Sequence, residues 1–557
     1  MLIENKTGRI FSFIGGIDYE TENLNHATQA YRSNGSTMKP LVVYGPAIDM
    51  GIASPGTVLA DVDLGLKQNG KSWPVNFSRQ YYGLTSTRTA LTHSYNVSTV
   101  YLMQKIMQEN PVQYLEKLGI ERLTKQDYTN PAIALGGITN GISVEENTNA
   151  YAAFANDGTF LDAYMIEKIE DRNGKVVYEH KPDPVKVFSP QAAWLTVDMM
   201  RDVVKRGTAS GVNDLLNFST DLAGKTGTTN NTEDLWFVGL NPNVTLGIWM
   251  GFDQPDTIPE QFRQMHLSLW AELMNITYET KPGIIKKEET FKMPGGIVKR
   301  TYCGVSGLLP SEACLKAGLT LADYFIADYV PAKEDESLIE GKFVTVNGKK
   351  YQAYDSTPEE FTEPGIMLNR DYMKKMVPGI KDFRQLIPDT DHWKHIIISP
   401  KKLPENGKKP APVQVSLKNG TLYWKKNNES DIIGYRIYLF KNGKKQQISG
   451  HVHAGAKRSY KLPAPGQYAV TAVDIAGNES PLSDIIHFKI KSSAKKNDRQ
   501  KNSVKSKDDK QKETKKPEND KKSPSANLSR TEYDHGGLLF IFRFNFLDRL
   551  DHHRPDP

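Results

Sequence analysis

The spacing of apolar residues along the chain changes several times, and each change marks a different kind of structure. Leu2 to Gly16 holds two short apolar stretches around Asn5-Lys6-Thr7-Gly8, which predicts strand, turn, strand, with a short first strand. Leu41, Val42, Val43 and Tyr44, followed by Ala47, Ile48 and Met50, give the apolar face of a helix that opens at Ser36. Pro40 falls in its first turn, where a missing N–H costs little. Pro46 falls further in and predicts a kink or an early end. Residues 51–160 read as mainly helical. A capped start lies at Leu84–Leu91, and Ser94-Tyr95-Asn96 forms a short connection. Val97–Gln108 carries Val100, Leu102 and Ile106 on one face, and Tyr151–Ala155 has the pattern of a buried helix.

Beyond residue 163 the period shortens toward that of strands. Met165–Val177 reads as a hairpin around Arg172-Asn173-Gly174-Lys175. A helix is predicted near Pro190–Arg206. Three strand-like runs follow, Leu222–Thr229, Leu235–Leu240 and Val244–Phe252, and then a closing helix over Leu267–Met274. Short turns between consecutive strands predict an antiparallel sheet. Residues 283–405 are rich in Pro, Gly, Lys and Glu. They read as an extension with little core of its own, although Lys342–Val346 is strand-like. Residues 406–490 form a separate unit. Val413/Val415/Leu417, Tyr435/Ile437/Tyr438 and Tyr468/Val470/Ala472 are its alternating segments, and Trp424 is its candidate core residue. Leu462-Pro463 shortly before Tyr468 is the pattern of a tyrosine corner, so this unit resembles a fibronectin type III module. Residues 491–557 form a Lys-rich tail that is expected to be disordered.

Composition changes this picture in three places. The 557-residue chain carries a net charge of +6. Between Lys491 and Lys522 alone, 13 Lys and Arg face 6 Asp and Glu, so the basicity belongs to the tail. The body is close to neutral, which argues against nucleic acid as its partner. No stretch reaches the roughly 20 apolar residues of a membrane helix, and the opening residues lack the pattern of a signal peptide. Cys303 and Cys314 are the two cysteines. They fit either a disulfide in an oxidising compartment or a pair of buried thiols. With no histidine nearby they are too few for a zinc site, and no metal is expected.

The candidate chemistry lies in three short motifs. Ser36-x-x-Lys39 places a hydroxyl and an amine on one side of a helix, the layout of an activated serine nucleophile. Ser94-x-Asn96 follows 58 residues later, and Lys225-Thr226-Gly227-Thr228 another 131 on. Each alone reads equally well as helix caps or a strand-edge turn. Together, in this order and context, they resemble the set shared by β-lactamases and penicillin-binding proteins. Longer strings extend the likeness: Ile14-Gly15-Gly16, Asn25 to Ala30, Arg88-x-Ala90-Leu91, Ala134-Leu135-Gly136-Gly137, Ala150 to Gly158, and Trp236-Phe237-Val238-Gly239. Over about residues 1–275 the chain is similar to the transpeptidase domain of class A penicillin-binding proteins.

That resemblance implies an α/β (α+β) serine transpeptidase fold like that of β-lactamases, with an antiparallel sheet, helices on both faces and a helical subdomain. The expected domains are residues 1–282 for the transpeptidase, 283–405 for the extension, 406–490 for the fibronectin-like module and 491–557 for the tail. It also implies a D,D-transpeptidase that needs no cofactor. Ser36 would attack the D-Ala–D-Ala bond of a peptidoglycan stem peptide, Lys39 would serve as base, and Ser94 would relay the proton. Asn96 would orient the substrate amide. Lys225, Thr226, Gly227 and Thr228 would bind the substrate, with the backbone N–H groups of Ser36 and Thr228 as oxyanion hole. An amine of a second stem peptide would resolve the acyl-enzyme, and β-lactams would acylate Ser36 and stay. Gly227 is expected to keep the substrate's path along the strand open. The competing functions are a D,D-carboxypeptidase, a β-lactamase drawing a base from Glu145 or Glu146, and an inactive fragment that binds wall polymers through the module and tail. Family members carry an anchor and a glycosyltransferase domain, and neither occurs in this sequence. A longer parent would act at the extracytoplasmic face of a bacterial membrane.

Overall fold

Five short strands form the sheet that carries the lysine of the third motif on its edge strand. A computed structural model describes residues 1–16, 23–397, 401–449 and 452–489. The strands are β1 (Leu2–Glu4), β2 (Ile10–Ser12), β3 (Ala223–Thr228), β4 (Asp234–Leu240) and β5 (Val244–Gly251). They form one antiparallel sheet in the order β3-β4-β5-β1-β2, so the chain's opening strand is the inner neighbour of β5. Lys225 lies opposite Val238, and Leu2 opposite Leu246.

Alternation along the strands divides the core between the two faces. Leu2, Phe237 and Leu246 cluster with Trp270, whose indole N–H donates to the Leu246 carbonyl at 2.8 Å. Ile3 and Trp236, one residue out of step, cluster with Ala152 instead. Five helices frame the sheet and the site: α1 (Thr87–Thr92), α2 (Asn96–Ile106), α3 (Val144–Ala155), α4 (Pro190–Arg206) and α5 (Met265–Thr280). Their starts follow local chemistry. Ser86, Ser143 and Ser189 each accept a backbone N–H from the first turn of α1, α3 and α4, and Ser143 with Glu146 forms a full capping box. Helices α2 and α5 have no side-chain cap at their own N-termini.

Three expectations need correction. Residues 51–160 are not helical throughout, because Val58–Asp61 pairs antiparallel with Gly83–Ser86. A short apolar run such as Val58-Leu59-Ala60 has no period that separates strand from helix. The helix after Ser36 does not stop at Pro46. It begins as a tight turn over Gly35–Thr37, widens to a π-helical segment over Pro40–Tyr44, and continues as α-helix through Gly45–Asp49. The wide turn puts Pro46 in the opening turn of the next segment, where its lack of an N–H leaves no bond broken. The extension after residue 283 also contributes heavily to the core. Ile297–Cys303 (β6) and Thr320–Ile326 (β7) form a two-stranded sheet. Cys303 is disulfide-bonded to Cys314. Cys303, Val305, Leu338, Leu368 and Met373 join the same cluster as Met38, Leu41 and Leu91. Arg88 on α1 binds Asp323 on β7 through two N–H bonds of 2.8 and 2.6 Å, and also Asp198 and Asp202 on α4.

Residues 415–488 build a β-sandwich. One sheet holds Val415–Lys418, Thr421–Trp424 and Ser459–Lys461. The other holds Lys444–Gln447, Ile432–Lys441, Gly466–Asp474 and Ile486–Phe488. Trp424, Tyr435, Ile437, Tyr468, Val470 and Ala472 fill the space between the sheets. The Tyr468 hydroxyl donates to the Ala464 carbonyl at 2.6 Å. The expected disordered tail, 491–557, lies outside the described residues.

Candidate active site

Three groups of residues meet where the Ser36 turn, the start of α2 and strand β3 converge. The Ser36 turn is clamped from beneath. Tyr151 on α3 donates its hydroxyl to the Thr37 carbonyl at 2.6 Å, and Asn147 donates to the Thr37 hydroxyl at 3.1 Å. Asn34 donates to Asn147 Oδ1 at 3.0 Å, and Trp236 Nε1 to the Ser33 carbonyl at 3.0 Å. Gly35 adopts φ +52°, and a Cβ there would lie 2.7 Å from the carbonyl oxygen and 3.0 Å from the amide nitrogen of Thr228. The turn and the end of β3 thus touch backbone to backbone. Ser36 itself is half-buried, and among the described residues its hydroxyl forms no hydrogen bond.

Lys39 is fully buried on the same helix and reaches the second motif. Its Nζ donates to the Ser94 carbonyl at 2.7 Å, Asn96 Oδ1 at 2.8 Å, Ser94 Oγ at 3.1 Å and the Tyr95 carbonyl at 3.3 Å. Lys225, equally buried, comes from β3 and donates to the same Ser94 Oγ at 2.9 Å and to the Thr226 carbonyl at 2.9 Å. The Ser94 hydroxyl therefore lies between two amines. Ser94 adopts φ +57°, a conformation a non-glycine residue holds only where its surroundings enforce it.

Burial sets the electrostatics. Removal from water lowers the Lys39 pKa well below 10.5, the Lys225 charge lowers it further, and Asp61 works in the opposite sense. Burial alone takes Lys225 down to about 7. The oxygens around Lys39 Nζ favour the ammonium, so two influences compete, and desolvation beside a second cation is the larger. Lys39 therefore gives up its proton far more readily than an exposed lysine does. The neutral amine can accept a hydroxyl proton.

All eight residues singled out in the sequence lie in this region. Thr228 is exposed at the end of β3. The Thr226 hydroxyl bonds Thr208 Oγ1 at 2.6 Å. Gly227 is there for a different reason from the one expected. A Cβ on it would sit 2.4 Å from the Asn34 carbonyl oxygen and 2.9 Å from Trp236 Cβ, so it would press on the backbone behind the nucleophile. Gly227→Ala is thus expected to cost roughly 1–3 kcal/mol of stability and to slow acylation of Ser36 at least about tenfold. Thermal unfolding together with labelling rate checks this, because obstruction of the substrate alone would leave the unfolding temperature unchanged.

Sequence reasoning missed Asn34, Asn147, Tyr151, Asp61, Asn76 and Asp234. Asp234 Oδ1 accepts Arg32 Nε at 2.8 Å and Trp249 Nε1 at 3.0 Å, while its Oδ2 accepts the Thr229 hydroxyl at 2.9 Å, closing the turn after β3. The usable signal was a polar residue inside a predicted buried segment, as with Asn147 in α3, since buried polar groups need partners.

This geometry has known counterparts. Residues 1–262 match the family described as "Penicillin binding protein transpeptidase domain". The chain carries a penicillin-binding protein transpeptidase domain. Residues 293–340, which include β6, β7 and the disulfide, match "Penicillin-binding protein 1A, C-terminal domain". Penicillin-binding protein 1A of Clostridium botulinum is 31% identical over 404 residues, covering 70% of this chain and 47% of that protein. Penicillin-binding protein 1F of Bacillus subtilis is 36% identical over 262 residues, covering 46% of this chain and 35% of that protein. The chain spans less than half the length of these curated relatives. The crystal structure of penicillin-binding protein 1A from Haemophilus influenzae superposes with a TM-score of 0.52 at 25% identity, over 60% of this chain and 53% of that one. The transpeptidase domain is thus followed in this chain by a segment that matches the C-terminal domain of penicillin-binding protein 1A. Within the domain, the Ser36 turn, the α2 start and β3 are the parts that assemble the site described above.

Proposed function

We propose that this chain is a penicillin-sensitive D,D-transpeptidase that cross-links peptidoglycan stem peptides through an acyl-enzyme on Ser36. The observation that carries the reading is the Ser94 hydroxyl between two buried amines, 3.1 Å from Lys39 Nζ and 2.9 Å from Lys225 Nζ. Ser36 Oγ attacks the carbonyl of the penultimate D-Ala, and its proton passes to the neutral Lys39 amine. The tetrahedral oxyanion takes hydrogen bonds from the N–H groups of Ser36 and Thr228, which the Gly35–Thr228 contact brings together. As the C–N bond breaks, the proton moves from Lys39 through Ser94 to the departing D-Ala nitrogen. The D-Ala carboxylate lies by Lys225 and Thr228, and Asn96 orients the peptide amide. An acceptor amine then attacks the ester by the reverse sequence.

A β-lactamase reading needs a carboxylate to activate a deacylating water. Glu146 is committed to the α3 cap, accepting the Ser143 N–H at 2.7 Å. Glu145 lies beside Asp162 and Glu146, and burial pushes its pKa up. Among the described residues no carboxylate is hydrogen-bonded to Ser36 or Lys39. A long-lived acyl-enzyme follows from this. The sandwich, with its tyrosine corner, supports a fibronectin type III-like module, and wall polymers fit such a module on a wall enzyme. The disulfide supports an extracytoplasmic site for the domain. Among the described residues no helix is long and apolar enough to cross a membrane.

The test supplies a pentapeptide donor and a stem-peptide amine acceptor and follows products by mass spectrometry. A cross-linked dimer with loss of D-Ala is expected. A tetrapeptide as sole product would make the enzyme a carboxypeptidase. A fluorescent penicillin label that disappears within minutes would make it a lactamase.

A further inference from the structure

Helix α2 presents an unusual problem at its N-terminus. The first N–H groups of a helix need acceptors, and a serine or asparagine at the cap usually supplies one. Here both candidates are committed elsewhere. The Ser94 hydroxyl accepts from Lys39 and Lys225, and Asn96 Oδ1 accepts from Lys39. The three leading N–H groups turn instead to side chains from distant parts of the chain. Asn76 Oδ1 accepts the N–H of Asn96 at 2.7 Å and of Val97 at 3.2 Å. Asp61 Oδ2 accepts the N–H of Ser98 at 3.1 Å. The two residues also bind each other, Asn76 Nδ2 donating to Asp61 Oδ1 at 2.6 Å. That oxygen takes the Tyr82 N–H at 3.0 Å as well, and Asn76 Nδ2 reaches the Gln80 carbonyl at 2.8 Å. Both residues are buried, Asp61 at 0% exposure and Asn76 at 4%. Val75, next to Asn76, accepts the Asn96 side-chain N–H at 2.9 Å through its carbonyl, which orients Asn96 Oδ1 toward Lys39.

Resting on the transpeptidase reading of the site, we propose that Asp61 and Asn76 are positioning residues for acylation: they cap α2 from outside and so free Ser94 and Asn96 to serve Lys39. Their placement follows from topology. Asp61 ends the strand Val58–Asp61, and Asn76 lies on the loop leading to its partner strand Gly83–Ser86. The otherwise unexplained strand pair is thus the mount for the cap. The Asp61 carboxylate is also the anionic group that opposes the lowering of the Lys39 pKa. The other titratable groups facing it are the phenols of Tyr44, Tyr81 and Tyr95, all held above 10 by burial and therefore neutral in the working range. Lys225 is the second cation beside Lys39.

Three measurements test the assignment, with the intact chain and a fluorescent penicillin as probe. In the unaltered protein, hydrogen exchange at the amides of Asn96, Val97 and Ser98 is expected to be at least about tenfold slower than in an uncapped first turn. Exchange at free-amide rates would overturn the proposal without any variant. In Asn76→Ala the second-order acylation rate is expected to fall at least about tenfold. In Asp61→Asn, which has the same shape, the rising limb of the acylation pH profile is expected to move to lower pH, because a charge that favours the ammonium is gone. A purely structural role would lower the rate with no such displacement. Variants that fold and acylate like the parent, with the parent's pH profile, overturn the proposal and leave the transpeptidase reading standing. Absence of labelling in the folded parent overturns that reading, and the positioning role with it.

Discussion

Ser36→Ala is expected to abolish covalent labelling of the folded chain by penicillin, lowering the rate at least about 10⁴-fold, with little change in thermal stability. Both halves follow from the geometry. The turn that carries Ser36 is held by the Thr37 carbonyl, the Thr37 hydroxyl and the Asn34 side chain, through bonds to Tyr151 and Asn147. The Ser36 hydroxyl takes no part in that clamp, so its removal leaves no buried group without a partner. Chemistry suffers fully, because the other hydroxyl in the site cannot replace it. Ser94 Oγ is fixed between Lys39 and Lys225 by a left-handed backbone. A denaturing gel after incubation with a fluorescent penicillin reads the first half, and a melting curve reads the second. Persistent label in the alanine variant would sink the assignment of the nucleophile. Loss of label accompanied by a large fall in unfolding temperature would mean that the clamp account of the turn is wrong.

The site was legible in the sequence to the extent that its parts are local. Ser36 and Lys39 are one helical turn apart, Ser94 and Asn96 share a connection, and Lys225 to Thr228 share a strand, so each motif carries its own spacing. The supports were illegible because they act across distance. Asn76 lies 20 residues before the N–H group it caps, and Asn147 lies 113 residues from Asn34. Nothing in the period or the turn chemistry of either segment announces such a pairing. Gly227 shows the same limit. Its identity was readable as a steric requirement, but the atoms it avoids are the Asn34 carbonyl and the Trp236 side chain, both brought there by the fold.

The architecture divides in the same way. Helix α4, read as Pro190–Arg206, has those bounds, because Ser189 caps it and a proline stands in its first turn. The strand pair Val58–Asp61 with Gly83–Ser86 was lost among helices, since four buried residues offer too short a sample of any period. Likewise the Pro- and Gly-rich composition of the extension hid its contribution to the core. Tying a two-stranded sheet to α1 takes one half-buried arginine and three aspartates, Arg88 with Asp323, Asp198 and Asp202, at contacts of 2.6 to 3.1 Å. Such a cluster is invisible to hydrophobic patterning.

The second large effect concerns the protonation of the lysine pair. Acylation by penicillin is expected to rise with pH as Lys39 loses its proton, and to fall again as Lys225 loses its own. The sign follows from the roles. Lys39 accepts the Ser36 proton only as a neutral amine, so activity grows as its ammonium is depleted. Burial and the Lys225 charge bring that event well below the 10.5 of an exposed lysine. In the proposed mechanism Lys225 holds the substrate carboxylate only as a cation, so its own neutralisation, brought down to about 7 by burial, is expected to remove binding on the alkaline side. The two sites are joined through Ser94 Oγ, and the apparent values belong to the pair. Lys39→Arg separates charge from basicity, because a guanidinium keeps the charge but does not deprotonate in this range. It is expected to acylate about 10²–10⁴-fold more slowly and to lack the rising limb, while still melting as a folded protein. Rate profiles of both proteins from pH 5 to 10 decide the matter. An arginine variant that labels at the parental rate would show that Lys39 holds Ser94 and Asn96 in place and that the proton of Ser36 goes elsewhere.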